Sequence, residues 1–259
     1  MRKIAAFIAI LLLLNFTKAD FRDISLVVDI SVNANGSAHV VELITLSVDA
    51  SSEDLYERSI LSRELTIQDW SQITKSSYIR QHILSTISPP RVRIIPEKLV
   101  RYGFNLSTAV VKIDYDIDGI FVMNKTGPRK TTYTFRRGVL SFENSPSGPV
   151  LPKYNDLVIR LPQDAIIMRI YPEPDEPVGI FNVTNNHIQG VSQITWKGTV
   201  PLNEFELVFV REEPLDVEVN EFFSEAQQAV VAIIFSQQGA ILITLVVVIA
   251  IFYLIFKKK

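Results

Sequence analysis

Residues 24–32, Ile24-Ser25-Leu26-Val27-Val28-Asp29-Ile30-Ser31-Val32, and residues 38–48, Ala38-His39-Val40-Val41-Glu42-Leu43-Ile44-Thr45-Leu46-Ser47-Val48, are joined by Asn33-Ala34-Asn35-Gly36-Ser37. Apolar side chains recur at every second position of both runs, the pattern of half-buried strands. The turn between them sets the register. A two-residue turn at Asn35-Gly36 would pair Ile30 with Val41 and set Asp29 opposite Glu42, two like charges in one cross-strand pair. A three-residue loop of Ala34, Asn35 and Gly36, with Gly36 in the left-handed position of a type I turn plus bulge, pairs Ile30 with Val40 and Leu26 with Ile44. That register gives one continuous apolar face and is the expected one.

The same register turns Glu42 into the apolar face opposite Val28, where an ionised carboxylate needs a partner. A structural ion pair with Arg58 or Arg63, or an edge position open to water, is one reading of this buried acid; a proton- or ligand-binding acid is the other. If Glu42 is structural, Glu42→Gln lowers stability and leaves ligand binding intact.

Outward from the hairpin, residues 51–88 lose the strand pattern. Thr66-Ile67-Gln68-Asp69 has the layout of an N-terminal cap, and Ile67, Trp70 and Ile73 follow at helical spacing until Pro89-Pro90. One short helix and a longer one over 67–84 are expected, with Trp70 and Tyr78 read as core rather than as a binding platform. After the prolines, short strands are predicted at 91–95, 109–117, 120–123, 131–137, 139–142, 156–161, 166–171, 194–196 and 204–210, punctuated by glycine and proline. The fold class is therefore mainly β, a sandwich-like domain over 20–213 with a helical insertion at about 51–88.

Both ends of the chain are apolar. Residues 5–14 follow Arg2 and Lys3 and precede Thr17-Lys18-Ala19, the layout of a secretory signal over 1–19. An uncleaved anchor is the alternative. Residues 239–256 carry no charge and run into Lys257, Lys258 and Lys259, which reads as a transmembrane helix with a cytoplasmic tail at 257–259. The expected layout is a single-pass protein in the cell membrane, its N-terminal domain extracytoplasmic. Between 214 and 238, Val219, Phe222, Phe223, Ala226, Val230 and Ile233 keep helical spacing, so a membrane-proximal helix is expected to continue into the bilayer. The helix over 219–256 is a candidate surface for a protein partner or homo-oligomer.

Six of the 26 basic residues lie in the two flanks, so the exported part, over 20–238, holds twenty against 28 acids, about −8. Such a balance, without a basic stripe, argues against nucleic-acid binding. The chain has no cysteine, so disulfides and cysteine metal sites are excluded and the fold must rest on its apolar core. That composition leans towards a prokaryotic surface protein. Four Asn-x-Ser/Thr sequons, at Asn35, Asn105, Asn124 and Asn182, are glycosylation candidates.

Two further segments can carry chemistry or recognition. Asp114-Tyr115-Asp116-Ile117-Asp118-Gly119 copies the opening of a calcium loop, making Asp114, Asp116 and Asp118 candidate calcium ligands. Lys125 stands where the closing glutamate belongs, and the flanking helices are missing; the plain alternative is a strand with Ile113, Tyr115 and Ile117 inward and Asp114 and Asp116 in water. Tyr171-Pro172-Glu173-Pro174-Asp175-Glu176-Pro177 reads as a stiff acidic loop outside any sheet interior.

Residues 30–42, from Ile30 through the Asn35-Gly36 turn to Val41-Glu42, resemble the start of the DUF2207-type membrane proteins. The resemblance covers about thirty of 259 residues. It implies an exported β domain tethered to the membrane, with no established reaction and nothing to transfer beyond the Gly36 turn and Glu42. This chain differs in having one closing apolar run and no long cytoplasmic region.

His39, His82 and His187 are scattered, and no nucleophile-elbow, Walker or dinucleotide motif appears. The expected function is a non-catalytic interaction module: an adhesion, envelope or membrane-complex accessory subunit that needs no cofactor. The rival is an anchored hydrolase or metal-dependent enzyme, for which Asp114, Asp116, Glu42 or a histidine would have to converge in one cleft.

Overall fold

A computed structural model describes residues 21–87, 90–102, 106–178, 188–189, 191–212 and 215–236, with a few isolated positions between 245 and 257. The founding hairpin forms as β1 (Phe21–Val32) and β2 (Ala38–Asp49). Ile30 pairs with Val40, Leu26 with Ile44 and Val28 with Glu42, the register the alternation requires. Gly36 takes φ +76°, and its N–H donates to the Asn33 carbonyl at 3.0 Å while the Asn33 N–H reaches Ser37 at 2.8 Å. Leu26, Val28, Ile30, Val40, Ile44 and Leu46 are fully or almost fully buried. Each such side chain contributes about 1.5–3 kcal/mol against exposure, so slipping one residue would forfeit the whole face.

The remaining strands are β3 (Arg93–Pro96), β4 (Val100–Tyr102), β5 (Leu106–Ile117), β6 (Phe121–Lys125), β7 (Lys130–Phe135), β8 (Glu143–Ser145), β9 (Gly148–Leu151), β10 (Asn155–Arg160), β11 (Ile166–Tyr171), β12 (Glu176–Val178), β13 (Ile188–Gln189), β14 (Gln193–Lys197), β15 (Val200–Pro201) and β16 (Glu206–Glu212). The larger sheet runs β12-β14-β10-β1-β2-β5-β3, with β4 also on β5; a second runs β13-β11-β16-β7-β6, and a small third is β15-β9-β8. β1 pairs with β10 in parallel, whereas β1–β2, β2–β5, β3–β5, β4–β5, β10–β14, β12–β14, β11–β13, β11–β16, β6–β7, β8–β9 and β9–β15 are antiparallel. Inward residues of both larger sheets, among them Ile113, Leu157, Trp196, Phe121, Tyr133 and Phe209, join one apolar cluster. The class is thus mainly β, two sheets around a shared core, as the strand pattern predicts.

Three expectations shift. Residues 139–142 do not make a strand; Leu140 forms only an isolated bridge with Ile83, and the hairpin comes just after, at β8 and β9. The acidic proline segment is not merely a solvated loop. Its end pairs as the edge strand β12 on β14, the Asp175 N–H donates to the Thr195 carbonyl at 2.9 Å, and Trp196 Nε1–H donates to the Pro172 carbonyl at 2.9 Å. Proline is tolerated there because an edge leaves one side of the backbone unpaired.

The third shift concerns the insertion. A 3-10 turn (Ala50–Ser52) leads into α1 (Glu53–Ile60), and α2 covers Ile67–Thr74. Thr66 and Asp69 make the predicted capping box. The helix then stops ten residues short of the expected end, with Lys75 in the left-handed region at φ 60°. Local hydroxyls take over the backbone: Thr74 Oγ1 accepts from the Ser76 N–H at 3.3 Å, and Ser76 Oγ from the Tyr78 N–H at 3.2 Å. Such bonds compete with helix propagation and release residues 75–87 as an irregular segment. Trp70 is core, edge-on to Tyr56 with ring centroids 6.0 Å apart, whereas Tyr78 is exposed.

The described residues fall into two compact units, one of residues up to 126 together with 131–211 and one of 127–130 together with residues from 212 on. In the second, α3 (Leu215–Ile234) falls within the membrane-proximal span expected at 214–238 and exposes Val219, Phe222, Phe223, Val230 and Val231. Among the described residues no helix is long and apolar enough to cross a membrane. The leader at 1–19 and most of the 239–256 run lie outside the described residues.

Candidate functional site

Glu42 is fully buried, and its partners are not arginines. One carboxylate oxygen accepts the His82 backbone N–H at 2.8 Å and the Tyr115 hydroxyl at 2.5 Å; the other lies 2.7 Å from His82 Nδ1. Neither Arg58 nor Arg63 reaches it, because residues 75–87, released from helix, lie across the inner face and deliver His82 first. Two backbone bonds, Ser141 N–H to the His82 carbonyl at 2.7 Å and Leu84 N–H to the Val139 carbonyl at 2.8 Å, pin that segment in place. Burial, and next the adjacent Glu42 carboxylate, push the Tyr115 hydroxyl far above the ordinary phenol range, so it stays a hydrogen-bond donor. With Glu42 accepting at Nδ1, the neutral His82 ring carries its proton on Nδ1 and leaves Nε2 as an acceptor.

His82 also lines a cleft of about 250 Å³ in the β domain. Its polar walls are Asp23, Tyr78, Arg80, Glu143 and Asn155, and Ile44, Phe142 and Pro152 close the apolar sides. The bulge in β1 between Asp23 and Ser25 sets Asp23 out of the regular alternation. Asn155 opens β10 on the same face as the buried Leu157 and Ile159, in register with Leu26, and is itself only 8% exposed. The Phe142 ring lies against the imidazole with centroids 5.5 Å apart.

Asp23 keeps one flank open to water, yet the crowding cleft walls raise its carboxyl above the usual range. An imidazolium at His82 and the Tyr78 hydroxyl work against that rise, and Glu143 adds to it by like-charge repulsion. The Tyr78 hydroxyl is raised in turn, by desolvation first and then by Asp23. Chemically the cleft offers two carboxylates, an amide, a fixed imidazole nitrogen and one guanidinium.

The other sequence-derived candidates lie elsewhere. Ile113, Tyr115 and Ile117 face inward as expected, but Asp114 is not in water: it is buried, held by Arg93 at 2.7 Å and Lys112 at 3.1 Å. Asp116 is exposed and bonds His39 Nδ1 at 2.9 Å. Asp114 and Asp116 lie on strand β5 and Asp118 just beyond it, and among the described residues no three His, Asp or Glu side chains are grouped to hold a metal ion. Asn35 and Asn124 are exposed, on the first turn and on β6. Asn105, Asn182 and His187 lie outside the described residues.

Sequence reasoning singled out Glu42 and named His82, but it missed Asp23, Glu143 and Asn155. Asn155 carried a signal, since positions 155, 157 and 159 alternate and an amide at an inward position is as anomalous as Glu42. The chain matches no family model and no curated protein.

Proposed function

We propose that this chain is a single-pass surface protein of the cell membrane whose β domain works outside the cytoplasm as a non-catalytic interaction module. The observation that carries the interaction reading is the cleft, whose lining is recognition chemistry: carboxylates, an amide and an imidazole between apolar walls. The anchoring reading draws on the uncharged 239–256 run followed by three lysines, and on the basic-then-apolar leader. The exposed aromatics of α3 suit contact with a protein partner or a second copy. An adhesion, envelope or membrane-complex accessory subunit fits these features together.

The test is purification from native membranes in mild detergent. Co-purification of a defined partner or a homo-oligomer is expected; recovery as a lone monomer counts against the subunit reading. Protease added to intact cells should cut the β domain and leave the terminal lysines protected.

One observation favours a second reading, an anchored hydrolase. Glu42 orients His82, and the ring lines a cleft holding two carboxylates, which is how a general base is set up to activate water. Loss of a hydrolytic activity in His82→Gln, with the fold retained, would select this reading.

A further inference from the structure

The cleft is unevenly supplied with hydrogen-bonding groups. Asp23 and Glu143 only accept when ionised, and in the neutral ring, with its proton at Nδ1 towards Glu42, His82 Nε2 accepts as well. The Asn155 side-chain amide, although Asn155 is more than nine-tenths buried, has no hydrogen-bond partner among the described residues; only its backbone is engaged, to Pro152 and Gly198. That amide is not sealed in the core but opens on the cleft, where a bound molecule can take up its hydrogen bonds. Against these acceptors stand the Arg80 guanidinium, whose Nη2–H reaches the Phe142 carbonyl at 3.5 Å, and the Tyr78 hydroxyl, which bonds Asp23. With neutral imidazole the lining carries a net negative charge, and its volume lies just below the roughly 300–1,000 Å³ of drug-sized sites.

We infer that this cleft binds a small organic ammonium ion, its charge set against Asp23 and Glu143 and its N–H groups satisfied by Asn155 and His82 Nε2. The apolar walls at Ile44, Phe142 and Pro152 receive the carbon skeleton. The raised Asp23 carboxyl accords with this: desolvation by the cleft walls raises it first and the Glu143 carboxylate adds to the rise, and a bound cation relieves both. The assignment deepens the interaction reading above and rests on it. The ammonium group can come from a free amine or from a lysine side chain presented by a partner protein.

The experiment is a titration of the full chain in mild detergent near neutral pH, following the thermal unfolding midpoint at constant ionic strength. The probes are 1,4-diaminobutane for the free amine and Nα-acetyl-lysine amide for the presented lysine. Tetramethylammonium, a cation without N–H groups, is the control. A saturable rise in midpoint with either amine, at least tenfold stronger than with tetramethylammonium, is expected, and the better probe identifies the source. Asp23→Asn and the solvent-open Glu143→Gln should each weaken binding about tenfold, while Asp116→Asn, outside the cleft, should leave it unchanged. Absence of saturation with both amines overturns the assignment, as does undiminished binding in the folded Glu143→Gln and Asp23→Asn variants. A new product mass in the same titration would instead overturn the non-catalytic reading and leave the ammonium site standing.

Discussion

Glu42→Gln is the most discriminating perturbation of this domain, because Glu42 is at once the base of the hairpin register and the group behind the cleft histidine. A glutamine can keep its carbonyl oxygen where the carboxylate accepts the His82 N–H and the Tyr115 hydroxyl, at 2.8 and 2.5 Å. Its NH2 then meets His82 Nδ1, 2.7 Å away, and two donors face each other unless the ring moves its proton to Nε2. Bonds to a charged group contribute roughly 1.5–3 kcal/mol and neutral ones about 0.5–1.5 kcal/mol, so three bonds lose on the order of 3 kcal/mol. Relief of the buried charge returns part of this, leaving a net cost of about 1–3 kcal/mol. For a domain of this size that lowers the melting midpoint by about 2–12 °C. Glu42→Leu strands all three donors and should cost more, at least ~4 kcal/mol.

Near-UV circular dichroism melts of the full chain measure both variants, and ring 15N shifts report the tautomer, since only three histidines need assigning. A Glu42→Gln protein as stable as the parent, or one whose His82 Nε2 remains an acceptor, would refute the reasoning. The sequence alone led to unchanged ligand binding in Glu42→Gln; with His82 interposed between Glu42 and the cleft, binding should weaken as Nε2 turns from acceptor to donor.

Three further outcomes are expected. Thr66→Ala removes the capping hydroxyl that accepts the Asp69 N–H at 3.1 Å, and should cost about 0.5–2 kcal/mol with faster amide exchange confined to the first turn of α2. Gly36→Ala puts a side chain at φ +76°, with its Cβ 2.8 Å from Met123 Sδ, and should cost about 1–2 kcal/mol in a denaturant titration even if Met123 swings away. Burial alone would raise the Asp114 carboxyl, but hydrogen bonds from Arg93 and Lys112 outweigh it and hold the group below the usual range. Its stabilisation is therefore complete above the unfolded value near ~3.9 and is lost as pH falls through the lower folded value; Arg93→Ala should move the onset of acid unfolding to higher pH in a circular dichroism titration.

The hairpin was legible because alternation and a glycine turn are local signals, and a misplaced register would expose six buried aliphatics. The capping box was legible for the same reason. The end of α2 was not, since Trp70 and Ile73 keep helical spacing and the competing Thr74 and Ser76 hydroxyls leave no mark in the apolar pattern. Strands β8, β9, β12 and β15 were missed because they are two to four residues long and contain or adjoin proline. The partner of Glu42 was missed because its choice depends on how an irregular segment crosses the sheet. Arg58, near in sequence and strongly charged, lost to His82, forty residues away, because backbone bonds at 82–84 deliver the imidazole to the inner face.

The cleft sits where the inner face of the large sheet gives up its apolar rule. Along β1, β2 and β10 the inward rows are apolar except at Glu42 and Asn155, and Ile44, paired with Leu26 beside Asn155, lines the same cleft. A core needing only stability would fill both positions with leucine or valine, since a buried acid and a buried amide each cost more than they return unless fully bonded. Glu42 is fully bonded, and in the neutral ring its bond at Nδ1 leaves His82 Nε2 an acceptor. Asn155 lines the same cleft, and its amide opens on that space rather than bonding within the fold. A completed network behind the histidine and an amide open to the cleft beside it suit a ligand that bonds to both. On that reasoning Asn155→Leu should leave the domain as stable as the parent or more so while abolishing amine binding; an Asn155→Leu protein that unfolds at lower temperature would show that the amide is bonded within the fold and that the cleft is merely a gap in its packing.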